Sequence, residues 1–202
     1  HANCEDCATP LRTGKNVAVI GGGNVAMDAA RTAVRVGFEN VYIVYRRTEA
    51  ELPARLEEIR HAKEEGVNFV FLHAPSEILE NEGYVAGMRF EIMELGEPDE
   101  SGRRSPVGTG RFTDLNVDTV IVALGTGPNP IIQKSSSDDG LIFETDKRGY
   151  FVVNEESRET SIPTIYAGGD VAPVGASNAI NAMGAGKKAA KAINEFLAKL
   201  ER

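Results

Sequence analysis

A glycine-rich turn between an apolar run and an alanine-rich stretch is the segment best suited to bind a ligand. Residues 17–20 lead directly into Gly21-Gly22-Gly23-Asn24-Val25-Ala26. In a strand–turn–helix unit, Gly21 permits the tight turn, Gly23 lets the backbone approach a pyrophosphate, and Ala26 allows helix and strand to pack closely. Unpaired amides at the helix start then face the phosphates. The pattern predicts a dinucleotide site; the alternative is a glycine-rich turn that binds nothing.

The residues after the next apolar run indicate which dinucleotide binds. Residues 41–45 are continuously apolar, as expected for a parallel strand covered on both faces. About 20 residues beyond the glycine motif, an NAD site places an acidic residue on the ribose 2′-hydroxyl, but this chain has Arg46 and Arg47. Guanidinium groups donate charge-assisted hydrogen bonds to a 2′-phosphate. The pair predicts NADPH rather than NADH, although either arginine alone is compatible with a solvated charge at a strand end.

Two cysteines and three histidines are the remaining candidates for chemistry. Cys4 and Cys7 form a Cys-x-x-Cys pair, which cannot by itself complete a four-ligand zinc or iron–sulfur site. The pair is either incidental in a linker or a redox dithiol. His1, His61 and His73 lack a carboxylate or cysteine at ligand or triad spacing. We therefore expect the histidines to be structural or surface residues, and we predict no metal site.

The composition is typical of globular α/β units. The chain has 202 residues, of which 42% are hydrophobic and 26% are charged, which suits one or two units with a core. The formal net charge of −8 argues against nucleic acid and anionic membranes as partners. No apolar run approaches the roughly 20 residues that span a bilayer. Two cysteines and the lack of a signal-peptide pattern predict a cytoplasmic location.

The elements that must position these residues follow an α/β pattern, with a Rossmann-like parallel sheet and an antiparallel meander. A strand over 16–20, a helix over 24–37 and a strand over 40–45 are expected to form a βαβ unit. The elements expected next are a helix over 54–65, a strand over 67–72, a meander over 75–114 with a polar hairpin tip at 96–105, and a buried strand over 118–125.

The ends of the chain have a different composition. Residues 1–14 are predicted to be a polar linker, and the polar run 133–140 indicates a loop. Short strands are expected near 141–144, 150–153 and 164–167, followed by a long helix over about 176–200. The apolar residues of this helix recur at three- and four-residue steps, which predicts a face packed in the core. They are Ile180, Met183, Ala190, Ile193, Leu197 and Leu200.

Several motifs together resemble the small (β) subunit of NADPH-dependent glutamate synthase and its paralogues. The resemblance covers about residues 13–200. The motifs that carry it are residues 21–28, Tyr45-Arg46-Arg47, residues 51–54, 95–99, 123–129, 167–170 and 182–190.

The resemblance implies an NADPH domain inserted into an FAD domain. Residues 15–124 would be the NADPH domain and residues 125–202 the C-terminal part of the FAD domain. Gly125 would join the NADPH site. Gly169 and Asp170 would contact FAD, with Asp170 on the ribityl chain. Asn178 and Ala179, at the start of the last helix, would face the flavin ring.

Asp28 lies one helical turn beyond the glycine motif, near enough to approach the nicotinamide end of a bound coenzyme. Related flavin reductases carry an acidic residue there. The alternative is an acid in the first turn of the helix that complements the helix dipole.

The family's electron path implies partners that this sequence does not itself contain. Hydride would pass from NADPH to FAD, and electrons would pass through iron–sulfur clusters to the glutamate synthase large subunit or another acceptor protein. Only 14 residues precede Lys15, whereas the family carries its FAD glycine motif and cluster cysteines upstream. We therefore expect a fragment with an incomplete FAD site that is inactive alone.

Two other functions fit the same residues. One is a related enzyme, either a ferredoxin–NADP⁺ oxidoreductase subunit or a thioredoxin-reductase-like protein that uses Cys4 and Cys7. The other is a non-catalytic NADPH-binding sensor or interaction module.

Overall fold

A computed structural model describes residues 14–98, 102, 104–175 and 178–200 of the chain. The chain divides into two compact units between Gly125 and Thr126. Cys4, Cys7 and all but the last residue of the linker predicted over 1–14 lie outside the described residues. The assignment of the units to NADPH and FAD domains stays a prediction.

A four-stranded parallel sheet organises the first unit, in the order β3-β2-β1-β7. Ile20 at the end of β1 lies opposite Val44 in β2 and Val122 in β7, so the strands end at one edge of the sheet. The elements of this α/β part are β1 (Asn16–Ile20), α1 (Asn24–Val36), β2 (Asn40–Tyr45), α2 (Leu56–Glu64), β3 (Asn68–Phe71) and β7 (Thr119–Val122).

Both faces of β1 are buried. Val17 and Val19 pack with Met27 of α1 in one apolar cluster, whereas Ala18 and Ile20 belong to a second cluster on the opposite face. This alternation follows from the pleat of the strand. It explains why the run from 17 to 20 is continuously apolar.

An antiparallel sheet of order β4-β5-β6 covers the second face of the parallel sheet. Its strands are β4 (His73–Asn81), β5 (Tyr84–Pro98) and β6 (Arg104–Leu115), so the predicted meander is confirmed. The predicted hairpin tip at 96–105 is wrong in extent, because Pro98 still pairs with Arg104. The Arg104 side chain donates a 2.9 Å hydrogen bond to the Gly96 carbonyl and extends the ordered pairing.

β7 is an edge strand, so the expectation of a buried strand over 118–125 is wrong. Val122 is 69% exposed and Leu124 is 62% exposed. Among the described residues β7 pairs only with β1, and its outer edge has no neighbouring strand. An apolar sequence alone does not reveal this, since it is compatible with either position in a sheet.

The second unit contains a helix where a loop was expected over 133–140. This helix, α3 (Ile131–Asp138), begins where Asn129 Oδ1 accepts a hydrogen bond from the Ile131 amide. The Ser135 hydroxyl donates back to the Ile131 carbonyl, which satisfies a polar side chain inside the helix. The strands expected near 141–144, 150–153 and 164–167 are wrong. Only isolated bridges occur there, and they pair Thr145 with Phe151, Val153 with Thr160, and Glu159 with Tyr166.

The last helix, α4 (Ala179–Leu200), begins later than predicted because Asn178 caps it. Asn178 Oδ1 accepts a 2.9 Å hydrogen bond from the Asn181 amide. The expected core packing of its large apolar residues is wrong, since Ile180 is 82% exposed and Met183 is 66% exposed. The buried residues of α4 are small alanines, among them Ala185, which packs against Gly168. Within the described part of the chain, no helix has the length and apolar character needed to cross a membrane.

Candidate dinucleotide-binding site

Both the backbone conformation and the close packing at the first position of the motif require a glycine. Gly21 has φ +141°, and its amide donates a 3.0 Å hydrogen bond to the Val44 carbonyl. A Cβ atom on Gly21 would lie 2.3 Å from the Ala123 carbonyl oxygen. Any larger residue would therefore force β1 and the end of β7 apart.

The second glycine packs under a strap formed by residues 48–55. A Cβ on Gly22 would lie 2.7 Å from both the Tyr45 ring and the Leu52 side chain. The Gly22 carbonyl accepts a 3.2 Å hydrogen bond from the Ala54 amide. Asn24 Oδ1 accepts one of 2.9 Å from the Arg55 amide. These contacts fix the strap over the glycine turn.

A capping box stabilises the start of the strap. The Thr48 hydroxyl donates a 2.5 Å hydrogen bond to Glu51 Oε2, which also accepts one from the Thr48 amide. The hydrogen bond from the Thr48 hydroxyl is the main cause that holds the pKa of Glu51 below its usual range. The bond from the Thr48 amide and the positive charge of Arg47 lower this pKa further. The Tyr45 hydroxyl donates to the Glu51 carbonyl and ties β2 to the same turn.

The third glycine has no structural requirement that the described residues reveal. Gly23 has φ −87°, which any residue adopts, and nothing lies within 4 Å of a Cβ built on it. It precedes α1, which has no capping side chain. The amides of Asn24 and Val25 also lack an acceptor among the described residues. Open space beside unpaired amides at a helix N-terminus is suited to a phosphate group.

These residues line one cavity of about 620 Å³ at the carboxyl edge of the parallel sheet. The structure brings together nearly all of the residues predicted for the NADPH site. The predicted residues that line the cavity are Gly21, Gly22, Gly23, Asn24, Val25, Arg46, Arg47 and Gly125. Ala26 does not line it, because it is fully buried between α1 and the sheet.

The two arginines occupy different environments in this cavity. Arg46 is exposed, whereas Arg47 is only 7% exposed. Arg47 Nε is buried and has no hydrogen-bond partner among the described residues. An unpaired buried donor costs about 1–3 kcal/mol, and more when the group is charged. Arg47 lines the cavity, so an anion bound there would offset part of the cost of burying its positive charge.

Asp28 is not one of the described residues that line this cavity, and it is exposed. The alternative of a first-turn acid is wrong, because α1 begins at Asn24 and its first turn holds no acidic residue. A role for Asp28 near the nicotinamide stays a prediction.

His73 is a cavity residue that the sequence argument missed. It is half-buried and lines the same cavity as Arg46 and Arg47. Motif spacing gave no signal, because His73 lies 26 residues beyond Arg47 in the chain. The available signal was topological, since His73 follows the end of β3 and ligands of open α/β sheets bind beyond the carboxyl ends of the strands.

The second unit has a cavity of its own, of about 530 Å³. Asp170 lines it from an exposed position in a 3₁₀ turn, Gly169–Val171, in which Gly169 has φ +79°. Asn178 and Ala179 are not among the described residues that line this cavity. Asn178 instead caps α4.

A buried arginine supports the turn that carries Asp170. Arg158 is 3% exposed, has φ +64°, and donates a hydrogen bond from Nη2 to the Ala172 carbonyl. Burial lowers the pKa of its guanidinium. The Arg158 carbonyl accepts a bond from the Ala167 amide, so this residue joins both ends of the segment around Asp170.

A parallel sheet with a glycine turn and a helix N-terminus at its carboxyl edge defines a dinucleotide-binding class of α/β proteins. Residues 1–186 match the pyridine nucleotide-disulphide oxidoreductase family, and the chain belongs to that family.

Relatives are similar over nearly the whole chain. The chain is 43% identical to the NADP(+)-dependent formate dehydrogenase subunit beta of Moorella thermoacetica over 198 residues, which cover 96% of this chain and 26% of that protein. It is 38% identical to the glutamate synthase [NADPH] small chain of Escherichia coli K12 over 191 residues, which cover 91% and 39%. The predicted resemblance to the glutamate synthase small subunit and its paralogues is thereby confirmed.

Solved structures confirm the predicted fold class. Thioredoxin reductase from Lactococcus lactis, in the FR conformation, matches with a TM-score of 0.72 at 25% identity. The match covers 91% of this chain and 53% of that one. The chain thus spans between about a quarter and a half of the length of these proteins.

Proposed function

We propose that this chain is the NADPH-binding part of a flavin-dependent oxidoreductase. The observation that carries the proposal is the buried Arg47, whose Nε lacks a partner beside a glycine turn with open space at Gly23. Both features fit a bound phosphorylated ligand, and the family match supports a pyridine nucleotide.

The arrangement of charges supports a 2′-phosphate on this nucleotide. Arg46 and Arg47 follow β2 directly, at the sheet edge where the glycine turn follows β1. A pyrophosphate on the α1 amides would place the adenosine ribose toward the end of β2. Two guanidinium groups at that point favour a phosphorylated ribose over a free 2′-hydroxyl.

The chain's own residues act by holding and orienting cofactors. When bound, NADPH supplies a hydride that a flavin ring accepts. The glycine turn and α1 amides would hold the pyrophosphate, and Arg46 and Arg47 the 2′-phosphate. In the second unit, Asp170 would accept hydrogen bonds from ribityl hydroxyls, and the N-terminus of α4 would favour negative charge on the flavin ring.

The proposal also extends to the protein that accepts the electrons from the flavin. We propose delivery of electrons through iron–sulfur clusters to a partner subunit, with the glutamate synthase large subunit as first candidate because of the Escherichia coli relative. The Moorella thermoacetica relative is a subunit of an NADP(+)-dependent formate dehydrogenase, so relatives of this region belong to enzymes with different substrates. A thioredoxin-reductase-like role stays a prediction, because Cys4 and Cys7 lie outside the described residues.

The coenzyme assignment is tested by titration calorimetry of the chain with NADPH and NADH. The double variant Arg46→Glu with Arg47→Glu should weaken NADPH binding by roughly 100-fold or more, since each lost charge-assisted bond is worth about 1.5–3 kcal/mol. The control variant Arg104→Glu with Arg111→Glu changes the net charge equally on exposed residues outside the cavity, and should bind normally. Equal loss of NADPH and NADH binding would contradict the 2′-phosphate assignment.

The flavin assignment has a separate test. If the second unit holds only part of an FAD site, the purified chain should be colourless and inactive alone. Flavin absorbance that stays with the protein through gel filtration would show that the partial site of this chain suffices to hold FAD.

A further inference from the structure

His73 is placed beside the arginine pair by a bend between two strands. It is the first residue of β4, and only Leu72 separates it from the end of β3. It lines the cavity shared by Arg46 and Arg47. The parallel pairing of β3 with β2 brings the ends of these strands together, with Phe71 opposite Tyr45.

The bend is fixed by hydrogen bonds on both sides of Leu72. Leu72 has φ +59°, a conformation that few non-glycine residues adopt. Its amide donates a 3.1 Å bond to the Arg47 carbonyl, and its carbonyl accepts a 2.7 Å bond from the Met93 amide. The position of His73 is therefore tied to the backbone of Arg47.

The orientation of the imidazole is fixed as well. His73 Nδ1 lies 2.6 Å from the Phe71 carbonyl oxygen. A carbonyl only accepts hydrogen bonds, so Nδ1 carries a hydrogen and donates it. The ring also contacts buried Phe90 edge-on, with centroids 6.4 Å apart. Nε2 is left without a hydrogen-bond partner among the described residues.

Because Nδ1 keeps its hydrogen for Phe71, Nε2 becomes a donor only when the ring takes up a second proton. Histidine changes its charge in the physiological range, and a nearby anion favours the charged form. The titratable groups that share the cavity are Tyr45, Arg46 and Arg47. At this point β5 contributes the apolar Phe90 ring.

We propose that His73 is a third group that binds the 2′-phosphate of NADPH, and that it takes up a proton as the coenzyme binds. The proposal rests on the proposed NADPH site and adds a residue to it. Protonated Nε2 would donate to the phosphate beside Arg46 and Arg47. The buried Arg47, which lines the same cavity and whose Nε has no hydrogen-bond partner among the described residues, supports the placement of an anion there.

Adenosine 2′,5′-bisphosphate and 5′-AMP are the probes that isolate the 2′-phosphate. His73→Asn keeps a donor near the position of Nδ1 and removes the group at Nε2, whereas His73→Gln restores a neutral donor near Nε2. We expect His73→Asn to weaken binding of adenosine 2′,5′-bisphosphate roughly tenfold and to leave 5′-AMP binding unchanged. His73→Gln should recover part of the loss.

Calorimetry in buffers of different ionisation enthalpy gives a second readout that a purely structural role would not change. The wild type should take up more protons at pH 7.5 with the bisphosphate than either variant does. If the wild type does not prefer the bisphosphate to 5′-AMP, the proposed NADPH site itself fails. If it does, and both variants keep that preference and the same proton uptake, the role of His73 is refuted. Unchanged 5′-AMP binding in the variants shows that the fold is intact.

Discussion

Gly22 and Tyr45 lie so close together that a methyl group on Gly22 would be 2.7 Å from the tyrosine ring. One residue later, a methyl group on Gly23 would meet nothing within 4 Å. Adjacent glycines of one motif therefore serve different purposes. Gly22 lets the strap of residues 48–55 pack on the turn, whereas Gly23 leaves room for a ligand.

Alanine substitution should separate these purposes. Gly22→Ala should lower the free energy of unfolding by about 1–3 kcal/mol, because Tyr45 and Leu52 must move. Gly23→Ala should change it by less than about 1 kcal/mol, since its backbone suits any residue, yet should weaken NADPH binding. Urea denaturation and calorimetric titration measure the two effects. Similar stability losses in both variants would contradict the assigned roles.

The strap should depend on pH through Glu51. Its pKa is lower in the folded chain than the ordinary 4.5, chiefly because of the Thr48 hydroxyl. A carboxyl group with a lowered folded pKa adds stability above its unfolded pKa, and this stability is lost as the pH falls through the folded value. Thr48→Val should raise the pKa of Glu51 and reduce the loss of stability as the pH falls below the ordinary value of 4.5.

Carbon-13 NMR of labelled glutamate measures that pKa directly, and urea denaturation at several pH values measures the stability. Thr48→Ser is the matched control, because it keeps the hydroxyl and should keep the lowered pKa. An unchanged Glu51 titration in Thr48→Val would show that another group sets it.

Arg158 should stabilise the turn that carries Asp170. Arg158→Met leaves the Ala172 carbonyl buried without its donor, which costs about 1–3 kcal/mol. The Phe151 amide, which donates to the Val171 carbonyl in that turn, should then exchange its hydrogen roughly tenfold faster or more. Hydrogen-exchange mass spectrometry measures this. Arg148→Met, an exposed substitution in the same unit, should leave the rate unchanged, and equal rates in both variants would remove the supporting role of Arg158.

The exposed apolar face of α4 should contribute little to the stability of this chain. Ile180→Ser, Met183→Ser and Leu197→Ser together should lower the free energy of unfolding by no more than about 0.5 kcal/mol per site. They should also reduce self-association in sedimentation experiments, because exposed apolar area favours it. By contrast, Ala185→Leu should cost about 1–3 kcal/mol, since Ala185 is only 3% exposed and a larger side chain must displace its neighbours. A large loss from the serine substitutions would show that this face packs within the chain.

The sequence predicted the first unit well because its signals are local. The bounds of β1 and β2 follow from apolar runs that end at glycine, asparagine or arginine, and α1 begins directly after Gly23 as expected. Most residues predicted for the NADPH site were also found locally, since they immediately follow β1 and β2. Their proposed function rests on two short motifs, residues 21–26 and Arg46-Arg47, and requires no knowledge of distant contacts.

Errors arose where neighbours far along the chain decide the outcome. β7 is apolar enough for a central strand, but its position at the sheet edge depends on topology. The α4 face has the spacing of a core helix, but the part of the chain described here does not cover it. The serines of α3 indicate a loop until one of them bonds back to the helix. His73 joins the site only because Leu72 turns the chain toward Arg47.

The connection between β1 and β7 has a consequence for the order of folding. The Asp118 carboxylate accepts hydrogen bonds from the Lys15 and Asn16 amides, 103 and 102 residues earlier in the chain. Closing so large a loop costs entropy before it gains contacts, so we expect this pairing to form late. Ala123, which lines the cavity and lies against Gly21, would be placed only at that step. A dinucleotide that binds in this cavity would therefore favour the paired, folded form of β1 and β7 over the unfolded chain.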